Sequence, residues 1–149
     1  MLEIRFVGPE NADLLALTAK LDAYYFSLVG DVQSRYAKYN DPRLFACRLV
    51  AYLDGSAVGC GCWKAVDDRT AELKRIYILP EYRRRGVASA LIGTLEDHAA
   101  SQGHTRAVLE TARTTADSKA LYLGLGYREM DYYGSPAGAE NCLCFEKEL

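Results

Sequence analysis

The sequence predicts a single α/β domain built on a mixed sheet, and three observations carry that prediction. Two apolar runs, Leu44–Leu53 and Ala57–Val66, are joined by Asp54-Gly55, a two-residue hairpin signal. A third apolar run, Ala71–Leu79, follows a turn at Asp67-Asp68-Arg69 and completes an antiparallel meander. That run then leads through a loop and a helical pattern to Ala107–Thr111, a strand–helix–strand unit that demands parallel pairing through a right-handed crossover. At 149 residues, half of them apolar, one domain over 1–149 has enough core to need neither disulfides nor metal.

The remaining elements follow from local signals. Leu2–Val7 reads as a first strand, and Pro9-Glu10-Asn11 opens a helix whose Leu14, Leu17, Leu21, Tyr24/Tyr25 and Leu28 recur at helical spacing until Gly30. Asp31 caps a short second helix to Tyr39, with Val32, Tyr36 and Tyr39 on one side, and Asp41-Pro42 breaks it. Helical spacing resumes at Val87, Leu91, Leu95 and Ala99 and ends near Gln102-Gly103. After Ala107–Thr111 come a short helix over Thr115–Leu123, a strand near Tyr127–Tyr132 and a last strand near Leu143–Lys147. The predicted order is β-α-α-β-β-β-α-β-α-β-β.

A net charge of −2 gives no general attraction for nucleic acid or an anionic membrane, so neither is expected as a partner. The start, Met1-Leu2-Glu3-Ile4-Arg5-Phe6, lacks an apolar targeting core, and no window approaches a membrane span, which predicts a soluble cytoplasmic protein. The five cysteines include two pairs, Cys60-x-Cys62 and Cys142-x-Cys144, which alternate at the strand period within apolar sequence. Structural zinc sites use wider spacings on turns, so these cysteines are expected to fill a core, and no metal is expected.

The informative departure from this ordinary pattern is Leu79-Pro80-Glu81-Tyr82-Arg83-Arg84-Arg85-Gly86-Val87-Ala88, between strand and helix. Three cations crowd a helix start, where the dipole already presents about half a positive charge and unpaired N–H groups. No Ser, Thr, Asp or Asn stands there to cap those donors. A polyanion satisfies amides and arginines together, and a pyrophosphate fits best. Gly86 lets the backbone approach the phosphates without a Cβ, and Ala88 is small enough to allow the same. The other reading is a solvated basic loop with Glu81 as counter-ion.

Arg83-x-x-Gly86-x-Ala88 resembles the Arg/Gln-x-x-Gly-x-Gly/Ala signature of the GNAT superfamily of acetyl-CoA-dependent N-acetyltransferases, in the style of its small bacterial members. Glu72-Leu73-Lys74-Arg75-Ile76-Tyr77-Ile78 resembles the strand before that signature, and Leu109-Glu110-Thr111 the parallel strand after it. Ala120-Leu121-Tyr122 with Gly126-Tyr127 resembles the family's Ala-x-x-Leu-Tyr-x-x-x-Gly-Phe helix and strand, and Cys144-Phe145-Glu146-Lys147 its closing strand. The resemblance covers residues 71–149 in order. It implies a V-shaped mixed sheet of about seven strands with helices on both faces.

The resemblance also implies roles. Backbone groups of Ile76, Tyr77 and Ile78 would bind the pantetheine arm in the manner of an added strand, which requires the two parallel strands to splay. An N–H near Ile76 or Tyr77 would stabilise negative charge on the thioester oxygen. Arg83, Arg84, Arg85, Gly86, Val87 and Ala88 would cradle the pyrophosphate. Many members carry Asn or Gln seven residues before the motif tyrosine as a further cofactor contact; Thr115 stands there, with a shorter hydroxyl, and Lys119 is a second candidate for a phosphate oxygen. Tyr122 matches the tyrosine that protonates the leaving thiolate, its alternative being a core residue beside Leu121 and Leu125.

An alkylamine, with a pKa of about 10.4, is mostly protonated at neutral pH, so acetyl transfer needs a proton acceptor. Glu72 is the leading candidate, eleven residues before Arg83, where histone-acetylating relatives carry their base. Glu110 on the facing strand is the alternative as base or as a site for the substrate ammonium, and water chains are a third. The first two helices and the last hairpin usually wall the acceptor side, which here supplies Tyr24, Tyr25, Phe26, Tyr36, Tyr132 and Tyr133 and favours a cationic or aromatic amine. The expected reaction is direct transfer from acetyl-CoA to a small-molecule primary amine in a ternary complex. Acetylation of protein lysines or N-termini is the alternative enzyme, and a CoA or acyl-CoA sensor the alternative binding module. A homodimer is compatible with all three.

Overall fold

The computed structural model describes residues 1–29, 40–112, 116–133 and 142–149; the short helix expected over Asp31–Tyr39 lies outside these residues. Ten elements follow in chain order: β1 (Leu2–Phe6), α1 (Ala12–Val29), β2 (Cys47–Leu53), β3 (Ser56–Ala65), β4 (Thr70–Ile78), α2 (Val87–Ser101), β5 (Arg106–Ala112), α3 (Ala116–Gly124), β6 (Arg128–Met130) and β7 (Cys142–Glu148). The strands form one seven-stranded sheet in the order β1-β2-β3-β4-β5-β7-β6. Only β4 and β5 pair in parallel; the other neighbouring strands pair antiparallel.

Local chemistry places each piece. The Asn11 side chain accepts from the Leu14 amide at 2.9 Å and caps α1. Asp54 and Gly55 both take positive φ, 51° and 87°, as the mirror-image hairpin turn between β2 and β3 requires. The run expected as a strand from Leu44 begins only at Cys47, because Pro42–Leu44 forms a single 3-10 turn capped by Asp41. Arg48, the polar residue within that run, donates to the carbonyls of Val7, Pro42 and Phe45 at 3.1, 3.1 and 2.8 Å.

Two apolar layers flank the sheet. On one face Leu14, Leu17 and Leu21 of α1 pack on Val50, Cys60, Cys62 and Tyr77. On the other, Leu91, Ile92 and Leu95 of α2 and Tyr122 of α3 pack on Leu49, Trp63, Leu109 and Phe145. Burial of each such side chain stabilises the fold by about 1.5–3 kcal/mol. Gly59 keeps β3 close to β4: a Cβ there would stand 2.7 Å from Ile78 Cδ1 and 3.0 Å from the Tyr77 carbonyl oxygen. All five cysteines are free, four of them buried on strands, as the alternating pattern predicts.

The feature that creates a site is the parting of β4 and β5. Their pairing runs only from Thr70↔Arg106 to Leu73↔Leu109. Beyond it β4 bulges against β3, the register shifting between Cys60 and Cys62, with Arg75 at φ 60°. Past Leu73, β4 and β5 no longer pair, so β4 turns an unpaired edge toward β5 along Ile76–Ile78.

Candidate active site

A cavity of about 930 Å³ occupies the fork between β4 and β5. Its walls are Leu21, Tyr24 and Tyr25 of α1, Ile76–Ile78 of β4, the loop and first turn of α2, Thr111 of β5, and Ser118, Ala120, Leu121 and Tyr122 of α3. Strand edge, helix start, aromatic wall and the α3 tyrosine, chosen from sequence separately, thus meet in one space.

At the cavity's α2 end, Arg84 and Gly86 both adopt left-handed backbone, φ 63° and 80°. Gly86 is the N-cap of α2 and offers its first-turn amides no side-chain partner. A Cβ built on Gly86 meets nothing within 4 Å, so the space before those amides is open. Gly86, Arg84, Val87 and Ala88 line it. Open amides at the positive end of a fifteen-residue helix, with Arg84 in the same lining, fit a pyrophosphate. The unpaired β4 edge fits a pantetheine arm laid along it.

The other two arginines have local engagements. Arg83 lines the cavity, but its Nε donates to the Ile78 carbonyl at 3.2 Å and so secures the end of β4. Arg85 does not line the cavity; its guanidinium lies over the Tyr82 ring, 5.5 Å from the centroid. Lys119 also lies off the cavity wall, its ammonium 2.8 Å from Glu129 on β6. Thr115 and Tyr36 fall outside the described residues.

Tyr122 is 7% exposed, and its ring packs against Tyr127 and Phe145 at centroid distances of 5.9 and 5.8 Å. Tyr127 is anchored in turn, its hydroxyl donating to Glu96 at 2.7 Å. Burial raises the Tyr122 phenol above the usual tyrosine range, which keeps it protonated at neutral pH. Tyr24 and Tyr25 tilt against each other at 5.9 Å on the opposite wall, while Phe26 is exposed and off it.

The two acidic candidates differ in their surroundings. Glu72 is held: the Tyr133 hydroxyl donates to it at 2.7 Å, and the Lys64 and Lys74 ammoniums stand 4.0 Å away. Burial, then the charge and hydrogen bond of Glu72, raise the Tyr133 phenol, so it remains the donor. Glu72 also sits within the paired part of β4, opposite Val108, and does not line the cavity. Glu110 does not line the cavity either, but it lies one residue past the last β4–β5 pair, beside Thr111 of the cavity wall. It is half-buried, and among the described residues no ion pair holds it.

The buried thiols offer no nucleophile. Burial pushes Cys47 up to about 11 and Cys60 up to about 12, and neither lines the cavity. His98 accepts from the Trp63 indole at 3.0 Å and His104 packs on the same ring, both off the cavity.

A family model described as the acetyltransferase (GNAT) family matches residues 14–127. Human N-acetylaspartate synthetase is 30% identical over 124 residues, covering 80% of this chain and 40% of its own length. Human N-acetyltransferase 8 is 32% identical over 89 residues, covering 56% of this chain and 39% of its own length. The chain thus spans about two fifths of the length of these relatives. Among solved structures, the PaiA N-acetyltransferase of Thermoplasma acidophilum, in complex with coenzyme A, matches with a TM-score of 0.77 over 100% of this chain and 99% of its own, at 19% identity. That likeness is one of fold.

Proposed function

The chain belongs to the acetyltransferase (GNAT) family, and from that premise we propose that it moves an acetyl group from acetyl-CoA to a primary amine of a small molecule, both held together in the fork. One observation carries the reading. A single cavity joins an anion cradle at the start of α2, an unpaired β4 edge, Tyr122, and a tyrosine wall on α1.

Bound acetyl-CoA supplies an activated acetyl thioester. Arg84 and the first amides of α2 would hold its pyrophosphate, and the backbone of Ile76, Tyr77 and Ile78 its pantetheine arm. Tyr122 would deliver a proton to the departing sulfur, and Tyr24 and Tyr25 would receive the acceptor by cation–π or stacking contact. Glu110, directly or through a water, would take the ammonium proton; Glu72, already engaged by Tyr133 and two lysines, would hold that corner of the site. The size of the cavity favours a small acceptor, and one relative is named for a small product, N-acetylaspartate.

The test is a screen of amines and peptides with acetyl-CoA, read by release of free thiol. Turnover of a metabolite-sized amine is expected. Turnover of peptides alone would replace the small acceptor with a protein one, and tight CoA binding without turnover of any acceptor would leave a sensor.

The cradle has its own expected result. Gly86→Val puts a branched Cβ into the open space before the α2 amides and holds a β-branched residue at φ 80°, a strain of about 1–3 kcal/mol. Acetyl-CoA affinity should fall by about tenfold to a hundredfold with the circular dichroism of the fold retained. Calorimetry on the folded variant decides it: unchanged affinity removes the phosphate cradle.

A further inference from the structure

Arg75 is at once buried, charged and bent into the left-handed region. Its backbone forms the β4 bulge at φ 60°, and its carbonyl accepts from the Cys60 thiol at 3.3 Å. Its side chain is only 6% exposed and runs beneath α1. Nη2 meets Asp22 Oδ1 at 2.8 Å and donates to the Thr18 carbonyl at 3.2 Å, while the buried Nε has no partner among the described residues.

Such a pair is weak support for stability, since apolar residues of similar volume often serve as well or better. What it supplies is direction. Leu14, Leu17 and Leu21 attach α1 by apolar contact, which is non-directional. A bond from Tyr52 to Asp13 pins its first turn. The Arg75 contacts pin its third turn, Thr18 and Asp22, and the cavity-lining residues Leu21, Tyr24 and Tyr25 lie within three positions of Asp22. The residue after Arg75 is Ile76, the first of the β4 edge that lines the other wall.

We propose that Arg75, through Asp22 and the Thr18 carbonyl, positions the α1 wall against the β4 edge and thereby sets the fit of the acceptor amine. Arg75 is a positioning residue in this scheme, and the scheme rests on the fork being the acetyl-transfer site. Loss of the latch leaves the anion cradle and Tyr122 in place and loosens the side of the cavity that receives the acceptor.

The experiment compares Asp22→Asn, Arg75→Met and Arg75→Lys in two readouts. With the best amine from the screen, acceptor KM should rise about tenfold in Asp22→Asn and Arg75→Met, the size expected for one charge-assisted bond, with kcat and acetyl-CoA affinity within about twofold of wild type. Arg75→Lys keeps the charge but not the fork of donors and should fall between. In parallel, hydrogen exchange of the α1 amides at Thr18–Tyr25 should quicken in Asp22→Asn, whose exposed position spares the core if Arg75→Met does not fold. Unchanged α1 exchange in Asp22→Asn overturns the latch, as does a loss of acetyl-CoA affinity that matches the rise in KM. If wild type turns over no amine, the acetyl-transfer reading fails, and exchange alone still decides whether Arg75 holds the wall.

Discussion

Tyr122→Phe should lower kcat by about tenfold to a thousandfold while acetyl-CoA affinity and fold stay as in wild type. The ring does the packing, between Tyr127 and Phe145, and phenylalanine keeps it. The hydroxyl is what is lost, and the proposed transfer needs it only as the carbon–sulfur bond breaks. The burial that raises the phenol would also raise the pKa of a thiol released beside it, so the hydrogen bond between them keeps its strength. Single-turnover kinetics with saturating amine isolates that step. An unchanged rate there returns Tyr122 to the core it helps to fill.

Most of the frame was legible because local chemistry dictates it. Asp54-Gly55 could form little but the hairpin turn it forms, and an uncapped arginine-rich helix start pointed to an anion before any fold was in view. The placement of β7 between β5 and β6 was not legible, since the choice depends on pairing across the chain. The bulge leaves a trace in the sequence. Leu73, Ile76 and Ile78 all face the α2 layer, so the apolar parity breaks between Leu73 and Ile76, where Arg75 sits. The bulge sends Arg75 under α1 to Asp22.

The candidate site divides along the same line. Residues expected from motif and spacing to act through their backbone, Ile76–Ile78 and Gly86, line the cavity. Side chains whose role depends on rotamer and neighbours were harder. Arg85 turns onto Tyr82 and Lys119 onto Glu129, partners that sit on other turns or strands and leave no periodic mark in the sequence. The same holds for Glu72, whose spacing from Arg83 suggests a base but whose hydrogen bond comes from Tyr133, sixty-one residues away.

Glu110→Gln should depress kcat/KM at neutral pH by about a hundredfold or more and erase the acidic limb of the pH–rate profile. The variant should recover in part as pH rises, because more of an amine with a pKa of about 10.4 is then neutral without help. The sign follows from the role: a general base works only as the carboxylate, and glutamine offers none. Glu72→Gln should differ in kind. Its amide oxygen can still accept from Tyr133, but the charge between Lys64 and Lys74 is lost, so KM should rise while the shape of the profile is kept. The two variants measured with one acceptor separate the carboxylates. A Glu110→Gln profile that overlays wild type, beside a Glu72→Gln profile without its acidic limb, would reverse the assignment. The Tyr133 hydrogen bond would then orient a base rather than occupy one.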